Sequence, residues 1–286
     1  MTSEGSPPAP DRGDGAGART REVPLDLDTS VAHVARVYDY WLGGSNNFLA
    51  DQDAARAMLA VDPTLRAAVR ANRAFLGRAV RYLAGQAGIR QFLDIGSGIP
   101  TERNVHEVAQ EIAPDSRVVY VDSDEVAVAH SRLLLQDNPA ATVIQADLRE
   151  PEKILADPAT QLLLDFSRPV TLLLVAVLHF IPDEDDPWRI VARLRDALAP
   201  GSYLVLCQAC SDAKPELASA TMKAYEGRVA ARSALRSRAD IRRFFDGFDL
   251  IEPGLVYLPE WRPDSPDDVP EDPQKFWGLV GVARRS

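Results

Sequence analysis

The chain has 286 residues, of which 46% are hydrophobic and 26% are charged, and its formal net charge is −10. This composition is typical of a globular protein, and the acidic balance argues against a general affinity for nucleic acid or for anionic membranes. No stretch reaches the roughly 18 consecutive apolar residues of a membrane span, and the N-terminus lacks the apolar segment of a secretion signal. We therefore expect a cytoplasmic protein with neither a nucleic-acid nor a membrane partner.

The first part of the chain changes character near residue 30. Residues 1–29 are rich in Pro, Gly, Ala, Ser and charged side chains, which predicts a disordered tail. Helical patterns follow at 31–41, 51–59 and 64–84, with a break at Gly43 and Gly44 and a new start after Pro63. We interpret residues 30–87 as a helical N-terminal extension that forms a lid.

Residues 88–286 alternate between short apolar runs and helical segments. The predicted strands are 91–95, 117–121, 142–145, 170–177, 203–208, 255–258 and 277–283. The predicted helices are 102–112, 124–136, 152–164, 188–198, 214–232 and 240–245. This alternation predicts an α/β domain of the Rossmann-like, doubly wound kind, with a mostly parallel seven-stranded sheet covered on both faces.

Glycines and acids follow three consecutive predicted strands. Glycines in the first loop allow a tight turn and a close approach of the backbone to a ligand. An acid after the second strand can accept hydrogen bonds from ribose hydroxyls, and one after the third can accept from the adenine amine. Singly, each of these acids could instead be a helix cap or a turn residue. Together they predict a nucleotide site formed by Asp94, Gly96, Ser97, Gly98, Asp122, Ser123, Asp147 and Leu148.

Two details of the first loop bear on which nucleotide binds. Thr101 stands where a dinucleotide loop has its third glycine, and Pro100 separates the glycines from the following helix. The carboxylate of Asp94 would repel a pyrophosphate but attract the ammonium group of an amino acid. An adenosine with an ammonium group and no phosphates is S-adenosylmethionine, and NAD is the competing interpretation.

Several stretches resemble the S-adenosyl methyltransferase family of actinobacteria known as DUF574, within the class I methyltransferases. They are Arg36-Val-Tyr-Asp-Tyr-Trp-Leu-Gly-Gly-Ser-Asn-Asn-Phe48, Arg70-Ala-Asn-Arg-Ala-Phe75, residues 92–104 and residues 178–186. The run Val175-Ala-Val-Leu-His-Phe-Ile-Pro-Asp183 is similar to a class I motif, which implies that Ala176 contacts the cofactor. The resemblance implies a Rossmann-like fold and S-adenosylmethionine as cofactor, and says little about the substrate. One departure is Pro100, where the general pattern often has glycine.

Other residues are candidates for roles beyond the nucleotide. Gly43 and Gly44 could belong to a lid over the cofactor, or only to a helix end and packing loop. Arg73 could bind the methionine carboxylate as a planar guanidinium, or form a surface ion pair. His179 follows the fourth strand and could act as a catalytic base, or be structural.

Two further groups are interpreted as structural. The Cys207-x-x-Cys210 pair follows a strand and has no second pair of ligands, so we expect buried thiols and no metal site. The arginines of residues 228–243 could contact nucleic acid, but an exposed helical face is the better interpretation.

The sequence therefore predicts methyl transfer to an oxygen, nitrogen or carbon atom of a small-molecule acceptor. Two other functions remain open. One is an NAD-dependent oxidoreductase on the same fold. The other is a non-catalytic regulator that binds S-adenosylmethionine, for which we expect no deep cavity beside His179 and Tyr40.

Overall fold

The structure, a computed structural model, describes residues 28–101, 103–229 and 231–286. The tail predicted for residues 1–29 lies outside the described residues, apart from its last two. In the described part of the chain, no helix has the length and apolarity needed to cross a membrane.

From residue 28 onwards, three helices precede the sheet: α1 (Val34–Leu42), α2 (Leu49–Val61) and α3 (Leu65–Gly85). Gly43 ends α1 because its φ of 88° is a left-handed conformation in which a glycine carries no steric cost. Asp62 ends α2, and its carboxylate accepts hydrogen bonds from the amide and the hydroxyl of Thr64. The predicted boundaries of these helices agree with the structure to within three residues.

The sheet has five parallel strands followed by a C-terminal antiparallel part. The parallel strands are β1 (Gln91–Ile95), β2 (Arg117–Asp122), β3 (Ala141–Gln145), β4 (Thr171–Val175) and β5 (Tyr203–Ala209). The remaining strands are β6 (Asp249–Leu250), β7 (Val256–Tyr257) and β8 (Gly278–Arg284). The order is β3-β2-β1-β4-β5-β8-β6, with β7 also paired to β8 and β8 antiparallel to β5.

The sheet therefore has eight strands, and the predicted number of seven was wrong. The missing strand is β6, whose two residues pair with Arg284 and Ala283 of β8. Two residues are too few to display the alternation on which strand prediction depends. The Rossmann-like, mostly parallel architecture itself is confirmed.

Seven helices connect or follow these strands: α4 (Val105–Ile112), α5 (Glu125–Leu135), α6 (Pro151–Ala156), α7 (Pro158–Leu163), α8 (Pro187–Ala197), α9 (Pro215–Tyr225) and α10 (Arg238–Arg243). The single helix predicted over 152–164 is two, because Pro158 has no N–H and Asp157 caps a new helix there. The helix predicted from residue 102 begins at Val105, where Asn104 and Glu107 form a capping box.

The N-terminal helices share apolar cores with the rest of the chain. Phe75 on α3 packs edge-on against the fully buried Trp261, with ring centroids 5.5 Å apart. Trp277 lies in one buried cluster with Trp41 and Met58, and its indole N–H donates to Asp62 Oδ2 at 3.0 Å. These contacts hold α1 and α3 over the carboxyl edge of the parallel strands.

Candidate active site

A cavity of about 530 Å³ lies where the carboxyl ends of β1, β2 and β4 meet α1 and α3. Because β1 has β2 on one side and β4 on the other, the connections on its two sides leave in opposite directions. Such a switch point is the usual ligand site of a doubly wound sheet. The cavity lining includes most of the predicted cofactor residues: Arg73, Asp94, Gly96, Ser97, Gly98, Asp122, Ser123, Asp147, Leu148 and Ala176.

The loop after β1 requires glycine at position 96. The amides of Gly96 and Ser97 both donate to the Val121 carbonyl, at 2.8 and 3.1 Å, which folds the loop sharply over β2. Gly96 has a φ of 75°, and a Cβ there would lie 2.4 Å from Cγ2 of Val177. Gly98 also has a positive φ, 68°, but no atom lies within 4 Å of its would-be Cβ. Position 96 therefore requires glycine both because of its positive φ and because a Cβ would clash with Val177. Position 98 favours glycine only because of its positive φ.

Asp122, the last residue of β2, holds this loop in place. Its Oδ2 accepts from the Gly98 amide at 2.7 Å and its Oδ1 from the Asp124 amide at 2.9 Å. Burial raises the pKa of Asp122, and the two amide hydrogen bonds oppose that rise. A carboxylate offers about four acceptor positions, so two remain for ligand hydroxyls.

Asp94 is 6% exposed at the end of β1. Burial, which the attraction of Arg73 opposes and the repulsion of Asp122 reinforces, raises the pKa of Asp94 to about 7. A guanidinium N–H of Arg73 donates to the Arg103 carbonyl at 3.1 Å. Asp94 and Arg73 both line the cavity, and their opposite charges suit the two ends of an amino acid.

Asp147 follows β3 and is bound by its neighbour Arg149. The backbone amide and the guanidinium of Arg149 donate to its carboxylate at 2.5–3.0 Å. Burial would raise the pKa of Asp147, but these hydrogen bonds lower it below the ordinary value. The carboxylate is therefore ionised and already paired, while Leu148 beside it is 5% exposed.

The segment after β4 supplies the other wall. Ala176 has a φ of 62°, which is uncommon for a residue with a Cβ, and its amide donates to the Cys207 carbonyl at 3.0 Å. His179 follows on a short 3-10 turn, Leu178–Phe180, and lines the cavity. Burial and the charge of Arg236 lower the pKa of His179 to about 4, so the imidazole is neutral near pH 7. Its Nδ1 is buried with no hydrogen-bond partner among the described residues.

For Gly43 and Gly44 the structure favours the helix-end alternative over the lid. Gly43 and Gly44 are not among the described residues that line the cavity. Gly43 is the helix end, and Gly44 lies so close to Asp39 that a Cβ would be 2.1 Å from Oδ1. Tyr40 also faces away from the cavity, towards the guanidinium groups of Arg56 and Arg66. Tyr38 and Trp41 line it instead, because residues three apart share a helix face.

Several lining residues escaped the sequence prediction as site residues. They are His33, Asn72, Cys207, Thr221, Met222, Arg232 and Trp277. They come from segments whose packing is not visible in any local pattern. Burial raises the pKa of Cys207 to about 12, so it is a neutral thiol in the wall.

The fold and the site together define a Rossmann-like protein with a ligand-sized cavity at the switch point of its sheet. The chain belongs to the S-adenosyl methyltransferase family, whose model matches residues 20–286. It is accordingly an S-adenosylmethionine-dependent methyltransferase, and the predicted cofactor is confirmed in preference to NAD. No curated protein gives a significant match to the sequence.

Two solved structures are similar over nearly the whole chain. One is a candidate methyltransferase from Thermobifida fusca YX, with 42% identity, a TM-score of 0.87, and coverage of 92% of this chain and 98% of that chain. The other is a DUF574 family protein from Streptomyces avermitilis, with 41% identity, a TM-score of 0.87, and coverage of 91% and 99%. These matches confirm the DUF574 resemblance.

The chemistry of the cavity fits S-adenosylmethionine. Ser97 Oγ and Asn72 Oδ1 belong to residues that line it, and both atoms are buried without a hydrogen-bond partner among the described residues. Buried polar atoms without partners are costly, and a ligand with hydroxyl and ammonium donors would satisfy them. Because Gly96 has no side chain, the backbone of this loop can approach a ligand closely. Asp122 would then hold the ribose, and Asp94 and Arg73 the amino-acid end.

Proposed function

We propose that this methyltransferase acts on an oxygen, nitrogen or carbon atom of a small-molecule acceptor bound beside His179. The observation that carries the proposal is that one cavity extends from Asp94 and Asp122 to His179. Its volume of about 530 Å³ lies within the range of small-molecule sites, about 300–1,000 Å³. A formal net charge of −10 argues against nucleic acid as the acceptor.

S-adenosylmethionine supplies a methyl group that is already activated by its positively charged sulfur. The protein then has to orient the acceptor and exclude water, which can account for much of the rate enhancement. Aromatic and apolar side chains line part of the cavity, among them Tyr38, Trp41 and Phe180. These groups favour an acceptor with an apolar body.

His179 is our candidate for orienting the nucleophile. With a pKa of about 4 its ring is neutral near pH 7, so it accepts a hydrogen bond from an acceptor O–H or N–H. Such a low pKa makes it a weak general base, because efficient bases have pKa values near the working pH. We propose that it positions the acceptor and that the proton leaves to water.

The proposal is tested by measuring S-adenosylhomocysteine formation with a library of small acceptors. We expect turnover with some acceptors, and for His179→Ala a fall in kcat/KM of at least about tenfold with an unchanged dissociation constant for S-adenosylmethionine. Cofactor binding without turnover on any acceptor would favour a non-catalytic regulator instead. A loss of cofactor binding in His179→Ala would contradict the placement of His179 on the acceptor side.

A further inference from the structure

The charged groups that line the cavity are almost all balanced by neighbours. Asp147 pairs with Arg149, which also lies 3.7 Å from Asp185. Asp94 is attracted by Arg73, and Asp122 by His33. Arg232 is different: among the described residues it has neither an ion pair nor a hydrogen bond, although it lines the same cavity.

The position of Arg232 follows from the segment that carries it. Two residues later, the amide of Ala234 donates to the His179 carbonyl at 2.8 Å. Arg236, 2% exposed, donates to the carbonyls of Leu178 at 2.9 Å and Ile181 at 2.7 Å. The segment is thus fastened along the turn that holds His179. Because Arg232 both lines the cavity and is exposed, it lies at the rim on the acceptor side.

The neighbouring wall is apolar. Ala231, which precedes Arg232, belongs to one apolar cluster with Val34, Leu65, Val69, Phe180 and Met222, and all six line the cavity. An acceptor that fits this region has an apolar or aromatic body. A polar group of that acceptor that reaches Arg232 can accept hydrogen bonds from its guanidinium, whose donors have no other partner among the described residues. Guanidinium groups bind carboxylates in a bidentate manner. The protein as a whole has a formal net charge of −10, which disfavours the approach of an anion, and the guanidinium of Arg232 opposes that repulsion locally.

We propose that the acceptor is an amphipathic acid, with an apolar or aromatic body and a carboxylate, and that Arg232 determines this specificity. The inference rests on the proposed function, since it concerns the acceptor of the same reaction. It assigns no covalent step to Arg232, which binds the end of the acceptor remote from the nucleophile.

The experiment compares acids with their amides. The probes are hydroxy- and amino-substituted aryl carboxylates, each paired with its primary carboxamide, and binding is measured by calorimetry on the full chain loaded with S-adenosylhomocysteine. The variants are Arg232→Gln and Arg232→Lys. Arg228→Gln is the matched control, since Arg228 is an exposed arginine of the same region that lies outside the cavity lining and donates to the Ala224 carbonyl.

For the unmodified protein and for Arg228→Gln, we expect the dissociation constant of each acid that binds to be about tenfold lower than that of its amide, as one charge-assisted contact predicts. Arg232→Gln should reduce this ratio to near one, and Arg232→Lys should restore part of it. Equal binding of acid and amide, a ratio unchanged in Arg232→Gln, or no binding of any acid at millimolar concentration would overturn the proposal. The binding ratio is measured without turnover. A failure of this proposal is therefore distinguishable from a failure of the proposed function, which would appear as an absence of S-adenosylhomocysteine formation.

Discussion

At the scale of single residues, we expect Asp94 to make cofactor binding depend on pH. Its pKa in the folded protein is about 7, above the ordinary value of 3.8, because burial disfavours the carboxylate. The folded protein therefore takes up a proton as the pH falls through 7, and the unliganded fold gains stability between about pH 7 and 4. In our site assignment the ammonium end of S-adenosylmethionine binds the ionised carboxylate of Asp94. The affinity for the cofactor therefore falls as the pH falls, while the stability of the unliganded fold rises.

We predict that the affinity for S-adenosylmethionine falls as the pH drops below about 7, by up to tenfold per pH unit. Calorimetric titrations on both sides of pH 7 measure this. Asp94→Asn, which has nearly the same shape but does not titrate, should bind weakly and with little pH dependence between pH 5 and 7. A variant as pH-dependent as the unmodified protein would show that another group is responsible.

The two glycines of the loop offer a matched pair of substitutions. Gly96→Ala places a methyl group 2.4 Å from Val177 at a positive φ, whereas Gly98→Ala meets no atom within 4 Å. We expect Gly96→Ala to destabilise the fold by about 3 kcal/mol and to weaken cofactor binding at least tenfold. Gly98→Ala should cost only about 1–2 kcal/mol, from its left-handed conformation.

Denaturant unfolding and cofactor titration of both variants check this. Val177→Ala, introduced as a second substitution, should recover part of the loss in Gly96→Ala, since it removes the side chain that the new methyl group meets. Equal effects of the two alanines would mean that conformation alone, and not the approach to Val177, requires glycine at 96.

At the scale of elements, Arg236 fastens the turn that carries His179. Its guanidinium donates to the carbonyls of Leu178 and Ile181 and to the carboxylate of Asp183, and it lies 5.2 Å from the centroid of the Trp188 ring. Replacement by Met keeps much of the apolar stem but removes the guanidinium donors from both buried carbonyls, of which that of Leu178 keeps the Ile181 amide at 3.1 Å. We predict a loss of about 3 kcal/mol in the free energy of unfolding.

Chemical denaturation of Arg236→Met measures that loss. Arg228→Met, an exposed arginine in the same part of the chain, should change the stability by no more than about 0.5 kcal/mol. A near-neutral Arg236→Met would show that the turn after β4 is held by its apolar contacts and not by the guanidinium.

Helix and strand positions could be predicted from the sequence for most elements that have a local pattern, although the helix predicted over 214–232 ends at Tyr225. The apolar run of β1 and the period of α3 are such patterns, and both elements lie where they were expected. Pro158 was a readable signal that the prediction did not use, since a proline inside a helical pattern breaks it. The two-residue strand β6 exists only because β8 offers it a partner, and no local pattern records that.

At the scale of the whole molecule, a rule of topology brought the cofactor residues together. Parallel strands end at one edge of their sheet, so acids after β1, β2 and β3 could be expected to meet without knowledge of any contact. No such rule predicts which residues line the acceptor side of the cavity. Arg232 and Tyr38 reach the cavity because of how α1 and the segment after α9 pack, which depends on the contacts of the entire fold.

The central claim is that Asp122 and the glycine loop bind S-adenosylmethionine at this switch point. Its most direct test is equilibrium binding of S-adenosylmethionine and of NAD to the unmodified protein and to Asp122→Ala, with circular dichroism as the control for folding. We predict saturable binding of S-adenosylmethionine, no comparable binding of NAD, and affinity for S-adenosylmethionine weakened at least tenfold in a folded Asp122→Ala. Unchanged affinity in the folded variant, or tighter binding of NAD, would contradict the account.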